Sequence, residues 1–516
     1  MSRRHVVFVA AENGALPGGK VGGVGDVVRD LPVALAACGW RVTVLTPAYG
    51  MFSTLPEARL VDELTVSFAG RRETVEVHEL SRPDTALRQL AFEHPLFSAG
   101  GAGQIYTERP GEGPFASDAT RFALFGAATA SWVRGQERAP DVVHLHDWHA
   151  AFYCLLRAFA PAFRTLAAIR TVFTIHNLAY QGTRPLDCDE SSLTAWFPGL
   201  AVDPAIVGDP DNPGCINPMA LAIRTCERVS TVSPTYAREI LRPSDPARGF
   251  VGGEGLERPL TSAARAGRLV GILNGCDYDS PQPGRPDWPD LVAQLQAQLA
   301  SWREQQPDET IHGLAIERLQ GRSARRPRHL LVSIGRLVRQ KVSLLFEPLD
   351  DGRSALEHVL DVLGQEGMLI VLGSGERDCE ARIGEIAKRC EPLLFVRGYS
   401  ESLAQTLYPA GELFLMPSSF EPCGISQMLA MRAGQPVLAH ATGGLCDTID
   451  DGRTGFLFSG DTARAQASAF VAALRHALTT KEQQPDEWQA LCTRAAAQRF
   501  DWATAARATI DELYAA

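Results

Sequence analysis

The sequence has no Cys-x-x-Cys pair and no histidine cluster at zinc spacing, although it carries 11 cysteines. Scattered thiols such as Cys38, Cys154 and Cys226 fall inside helical or strand patterns. That placement points to reduced, buried residues, not to a disulfide framework or a metal site. Basic runs of four or more residues are also missing, and the formal net charge is −10 with a pI near 5.7. Such a balance excludes a nucleic-acid footprint and attraction to an anionic membrane surface. No apolar run approaches a membrane span, and Met1-Ser2-Arg3-Arg4 leads straight into the strand-like His5-Val6-Val7-Phe8-Val9-Ala10. Neither a signal peptide nor an anchor is therefore expected, and the expected compartment is the cytoplasm. No Ser-His-Asp order, Cys-His pair or readable pair of carboxylates stands out, so a glycosidase, which needs two catalytic carboxylates, cannot be nominated.

What is present is an ordinary globular composition, 45% hydrophobic and 21% charged, spread over 516 residues. That length is too great for one core and predicts two domains or more. Residues 5–11 read as a strand, Glu12 to Gly25 as a glycine-rich turn, Asp26 to Ala37 as a helix stopped by Gly39, and Val42 to Leu45 as the next strand. This opening is Rossmann-like. The segment 60–96 reads as an antiparallel excursion, and residues 117–133 and 217–227 as helices. Strands are expected to end at Asp147, His176 and Ser233. Proline and glycine dominate from Asp279 to Asp287, which suits a linker. After a helix at 289–304, a second run of strands begins at His329 and continues through 368–372, 393–396, 412–416 and 436–439. Lys481 to Glu487 reads as a charged connector to a last amphipathic helix with Trp502, Ile510, Leu513 and Tyr514. The expectation is an α/β protein with two doubly wound domains, 1–278 and 279–488, and a C-terminal helix, 489–516.

Chemistry concentrates where strands turn into helices. Glu421 lies in Pro417-Ser418-Ser419-Phe420-Glu421-Pro422-Cys423-Gly424-Ile425-Ser426-Gln427, after the apolar strand and before a helix. Ligands bind at that edge of an open α/β sheet, and amides at the following helix start suit an anion or sugar hydroxyls. The plain alternative is that Glu421 caps the helix. Thr442-Gly443-Gly444 repeats the glycine turn. Lys20-Val21-Gly22-Gly23-Val24-Gly25-Asp26 offers a charge and close-approaching amides, or else a capping loop with Asp26 as cap. Arg336 and Lys341 follow the first strand of the second domain and would neutralise a diphosphate leaving group, or form a solvated basic turn. Histidines at strand ends, His146, His149 and His176, face a ligand crevice or sit satisfied in the core. Gly373-Ser374-Gly375 is a further glycine turn, and Tyr399 either stacks on a flat base or packs at an edge.

Phe420-Glu421-Pro422-Cys423-Gly424 with Thr442-Gly443-Gly444 resembles the donor-site signature of bacterial glycogen synthases and plant starch synthases. The resemblance extends over Lys20 to Val27, His146-Asp147-Trp148-His149-Ala150, His176-Asn177-Leu178-Ala179-Tyr180-Gln181-Gly182, Val232 to Ala237 and Gly271 to Asp277, nearly the whole chain. It implies the GT-B fold, two Rossmann-like domains facing across a cleft with the C-terminal helix crossing back to the first. It implies a metal-independent, cofactor-free glucosyltransferase that moves glucose from ADP-glucose to the non-reducing end of an α-1,4-glucan with retention. Carried over by motif, Arg336 and Lys341 hold the diphosphate, and Lys20 with the Gly22 and Gly23 amides closes on it. Glu421 and the amides of Cys423, Gly424 and Ile425 grip the glucose hydroxyls, and the Ser426 amide meets phosphate. Gly443, Gly444 and Tyr399 join the donor site, His176 approaches the glucosyl carbon, and Asp147 lies on the acceptor side. The sequence departs from the pattern at Val342-Ser343, where Gly-Leu is usual, in an added stretch from Glu347 to Arg353, and in lacking a lysine near Asn217. UDP-glucose as donor, another acceptor such as a small sugar, or a glucan-binding scaffold of low activity are the competing readings. Oligomeric state is not legible.

Overall fold

The computed structural model describes residues 3–81, 86–107, 113–281, 283–305, 310–322 and 324–515. Met1, Ser2 and Gln282, which two of the expectations touch, lie outside them. The chain forms two compact units. One comprises Met1–Pro243, Gly252–Gly275 and Asp501–Ala516, the other Ser244–Val251 and Cys276–Phe500.

The first unit is built on a nine-stranded sheet. Its spatial order is Leu269–Gly271, Arg228–Thr231, Arg170–Ile175, Val142–His146, His5–Val9, Arg41–Pro47, Leu87–Glu93, Arg71–Glu79, Arg59–Phe68. The strands from Leu269–Gly271 to Leu87–Glu93 pair in parallel. The last two pair antiparallel, which is the excursion expected over 60–96. His5–Val9 is fully buried and apolar beyond its first residue, as a parallel strand covered on both faces must be. The strand stops at Val9, two residues before the expected end. The helix Gly23–Ala37 starts three residues before the expected Asp26. Its Val27, Val28, Leu31 and Leu35 pack with Trp502, Ala505, Ala506, Leu513 and Tyr514 of the C-terminal segment. That segment is an α-helix over Trp502–Thr509 followed by a π turn over Ile510–Tyr514.

The second unit carries a six-stranded, wholly parallel sheet in the order Leu393–Arg397, Met368–Gly373, Leu330–Ile334, Leu413–Met416, Val437–His440, Gly455–Phe458. Numbered within the unit, this is 3-2-1-4-5-6, the doubly wound order of dinucleotide-binding sheets. Alternation sorts the side chains onto two faces. Leu331, Leu369, Val371, Phe395, Leu413 and Leu415 pack under one helical layer, while Leu330, Val332, Ile370, Leu394, Phe414 and Met416 pack under the other. Lys481 to Glu487 is not a connector. The helix Ala463–Gln483 runs through its start and Pro485–Ala497 begins after Gln484 alone, because Pro485 at a first helical position restarts a helix as readily as it ends one.

Candidate functional site

In each unit the sheet reverses its direction of winding at one place, and loops on either side of such a point splay apart to leave a crevice. In the second unit that point lies between Leu330–Ile334 and Leu413–Met416. The loop after the first strand carries Arg336 and Lys341, and the loop after the other carries Glu421, so the topology brings these three to one sheet edge. The loops are tied together by the Ser419 amide and hydroxyl, which donate to the Gln340 carbonyl at 2.9 and 3.1 Å.

Lys341 Nζ donates to Glu421 Oε2, forming an ion pair between groups 80 residues apart. Ser418 Oγ donates to the same oxygen at 3.1 Å, and His440 Nδ1 donates to the Ser418 carbonyl at 3.1 Å. One reading made from sequence changes here. Glu421 does not cap the following helix: Ser426–Arg432 starts at Ile425 without a side-chain cap, and the carboxylate is turned toward Lys341. Lys341, which has no acidic neighbour in sequence, has one in space. Arg336 behaves differently. It is exposed, and no hydrogen bond or ion pair engages its guanidinium among the described residues. An unengaged cation at the same sheet edge as a buried, ion-paired carboxylate offers one group suited to an anion and another suited to hydroxyl groups.

The two glycine turns pack directly on each other. The Gly444 amide donates to the Glu421 carbonyl at 3.1 Å, and a Cβ on Gly443 would stand 2.0 Å from that oxygen. Gly424 and Gly443 both take positive φ, 74° and 46°. Gln427 Nε2 fastens the turn by donating to the carbonyls of Cys423 and Gly424 at 2.9 and 3.0 Å. Cys423 is buried, and Ile425 and Ser426 open the short helix. Tyr399 is 51% exposed, follows the edge strand Leu393–Arg397 and bonds Glu401. One strand, Met368–Gly373, stands between it and the loop of Arg336.

In the first unit the reversal lies between His5–Val9 and Val142–His146. The glycine loop after the first strand is arranged around a residue that the sequence reading passed over, Glu12. Its Oε2 accepts from the amides of Val21, Gly22 and Gly25 at 2.9, 2.7 and 3.2 Å, and Tyr106 donates its hydroxyl to Oε1 at 2.8 Å. The Gly22 amide expected to meet a diphosphate already holds a carboxylate of the protein. Asp26 is likewise no cap: it sits in the first helical turn and pairs with Lys20 at 2.8 Å and Arg29 at 3.2 Å. Burial pushes the Asp26 carboxyl above its usual range, with Lys20 opposing. Lys20 keeps partial exposure, and nothing stands within 4 Å of where a Gly23 Cβ would be.

On the other side of the reversal, Asp147 begins a short helix at φ 55°. Its Oδ1 accepts from the His176 amide at 2.7 Å, which joins the ends of two neighbouring strands. Burial raises its carboxyl to about 7, opposed by the amides of His176 and Asn177, with the Glu12 charge adding slightly. The ring of His176 lies with Nε2 2.9 Å from His146 Nδ1, and burial lowers its pKa to about 3. His149 is a core residue, packed on Trp148, Tyr106 and Phe122. Ser233 caps the helix Pro234–Glu239, and Tyr236 of that helix accepts from the Leu178 amide at 3.1 Å.

A signal in the composition marks the cations. Lysine occurs at four positions, Lys20, Lys341, Lys388 and Lys481, and two of the four stand in these loops in a chain that otherwise uses arginine. Glu12 carried a weaker one, a carboxylate directly between an apolar strand and a glycine run. Among the described residues no helix is long and apolar enough to cross a membrane, and no group of three or more His, Cys, Asp or Glu is placed to hold a metal ion.

Residues 5–262 match the family model described as the starch synthase catalytic domain, and residues 328–478 match glycosyl transferases group 1. The chain is 32% identical to a glycogen synthase of Streptococcus equi subsp. equi over 98% of both chains. To a glycogen synthase of Gloeobacter violaceus it is 34% identical over 88% of this chain and 87% of the other. Among solved structures it resembles the catalytic domain of starch synthase IV from Arabidopsis thaliana bound to ADP and acarbose, with a TM-score of 0.75, 28% identity and 99% of each chain covered.

Proposed function

The chain belongs to the glycogen and starch synthase family of GT-B glycosyltransferases, and from that premise we propose that it transfers glucose from ADP-glucose to the non-reducing end of an α-1,4-glucan with retention of configuration. The observation that carries the reading is the sheet edge of the second unit, where an unengaged arginine, a lysine–carboxylate pair and two interlocked glycine turns meet. ADP as the nucleotide and a glucan as the acceptor are favoured by the ADP and acarbose named in the similar starch synthase structure. The cytoplasm is the proposed compartment, in keeping with eleven free thiols.

In this reaction the bond between the glucosyl C1 and the diphosphate oxygen breaks. A bond from C1 to the acceptor 4-hydroxyl oxygen forms on the same face, and the hydroxyl proton passes to the departing phosphate oxygen. Arg336 and Lys341 stabilise the diphosphate as its charge grows, a contribution that rises toward the transition state. Glu421 accepts hydrogen bonds from glucose hydroxyls while its other oxygen stays with Lys341 and Ser418, so one carboxylate links sugar orientation to the phosphate cation. The amides of Cys423, Gly424, Ile425 and Ser426, with Gly443 and Gly444, line the donor side. Lys20 and Gly23 serve the diphosphate from the first unit, Tyr399 the base, His176 the glucosyl carbon and Asp147 the acceptor.

The deciding experiment supplies ADP-glucose and UDP-glucose separately with glycogen and measures the nucleoside diphosphate released and the anomeric linkage formed. ADP release with α-1,4 extension is expected. Faster turnover of UDP-glucose would overturn the donor assignment, and release without chain extension the acceptor.

A further inference from the structure

Within the unit containing the nine-stranded sheet, four buried nitrogens lack a hydrogen-bond partner among the described residues, and two of them, Nε2 of His146 and the indole Nε1 of Trp502, belong to residues that line one cavity. Both residues line the same cavity of about 20 Å³, together with Ser230, Thr231 and Asn274. A water needs roughly 10–15 Å³ of such space and two to four polar partners, and this cavity supplies both. We infer that the cavity is a site for one water, closed by the C-terminal helix Trp502–Thr509, and that this water fixes the tautomers of His146 and His176.

Tryptophan can only donate, so the water accepts from Trp502 through one lone pair and has two hydrogens to donate. In the proposed arrangement one of them goes to His146 Nε2, which then carries no proton. The single proton of the neutral His146 ring then sits on Nδ1, which stands 2.9 Å from His176 Nε2. His176 accepts there, so its own proton is on Nδ1. Both rings are neutral because burial drives their pKa values far below the usual histidine range. His146 is further held in place by stacking on His144, centroids 4.3 Å apart, and on Phe8 at 4.9 Å. His144 is itself fixed by Tyr514 at 2.8 Å and Thr174 at 2.6 Å.

Resting on the glucosyl-transfer reading, this makes Trp502 a positioning residue: through the water and His146 it sets His176 to present an N–H donor from Nδ1 and no basic lone pair there. A neutral donor suits a substrate oxygen and not proton abstraction.

The test uses the full chain labelled with ¹⁵N-histidine, without substrate, so it succeeds or fails independently of the proposed reaction. Long-range ¹⁵N–¹H correlation distinguishes the two tautomers, and single substitutions assign the signals among the 12 histidines. Both His146 and His176 are expected as Nδ1–H tautomers. Trp502→Phe, which removes the donor and keeps an aromatic ring, is expected to shift the His146 and His176 signals and leave those of His149 in place. A proton on Nε2 of His146 in the unsubstituted protein, or unchanged signals in folded Trp502→Phe, overturns the inference. Should that variant not fold, the unsubstituted spectrum decides, together with a crystal structure resolving waters. A water bonded to both Trp502 Nε1 and His146 Nε2 supports the site, and a dry cavity refutes it.

Discussion

Arg336 and Lys341 share a loop but not an environment, and their substitutions should separate activity from stability. Arg336 is exposed and unengaged, so Arg336→Ala should leave stability within about 0.5 kcal/mol, as surface changes do, while turnover falls about 10²–10³-fold, comparable to losing one oxyanion donor. Lys341→Ala should lower turnover similarly and also destabilise the fold by up to about 3 kcal/mol, because it strands the 4% exposed Glu421 without its counter-charge. Thermal melts and kcat on the two purified variants check both. Near-normal turnover in each removes them from the diphosphate site. At Glu421 the amide of Glu421→Gln still accepts hydrogen bonds from sugar hydroxyls, so that variant should retain measurable activity where Glu421→Ala retains less. Equal and small losses in both would mean that the carboxylate only holds its loop.

At the scale of elements, the two glycine turns leave no room for a side chain. Gly443→Ala would put a methyl 2.0 Å from the Glu421 carbonyl at a φ of 46°, so the Glu421 turn must move. A loss of about 1–3 kcal/mol is expected, as for other overpacked sites, along with donor affinity. Gly284→Ala, with nothing within 4 Å, should change neither. Calorimetry and donor KM on the pair test this, and a neutral Gly443→Ala would break the claimed interlock. The strand ends of the first unit carry a pH signature. His144, His149 and His176 are lowered to about 3 by burial, so in the folded state they stay neutral where the unfolded chain binds protons, from 6.5 downward. That stability is present above pH 6.5 and is lost as pH falls toward 3. Asp147, raised from 3.8 to about 7, acts oppositely, holding a proton in the folded state across that interval. Three histidines outweigh one aspartate, so the denaturant midpoint should fall steadily between about pH 7 and pH 4. A flat midpoint over that range would contradict the buried neutral rings.

For the whole molecule, the proposed diphosphate ligands come from both compact units, Lys20 from one and Arg336 and Lys341 from the other. Lys20→Ala and Arg336→Ala, one in each unit, should therefore each weaken the use of ADP-glucose. Steady-state kinetics on the two variants check this, and a Lys20→Ala enzyme with unchanged kcat/KM for the donor would remove the first unit from the diphosphate site.

Sequence alone determined the α/β class, the strand-end placement of Lys20, His176, Arg336 and Glu421, and the two runs of strands. Local patterns are sufficient for that: alternation, apolar runs and glycine turns report on a residue's immediate neighbours in the chain. It was blind wherever the partner is far away along the chain. The Lys341–Glu421 pair spans 80 residues and the Tyr514–His144 contact 370. Glu12 fills the glycine loop from nine to thirteen residues off, through three amides that carry no sequence mark. The 3-2-1-4-5-6 strand order decided that the Arg336 and Glu421 loops adjoin and that Tyr399 stands further out. The tertiary structure settled these points because ion pairs, amide cradles and sheet order are set by closeness in space, which chain folding alone assigns.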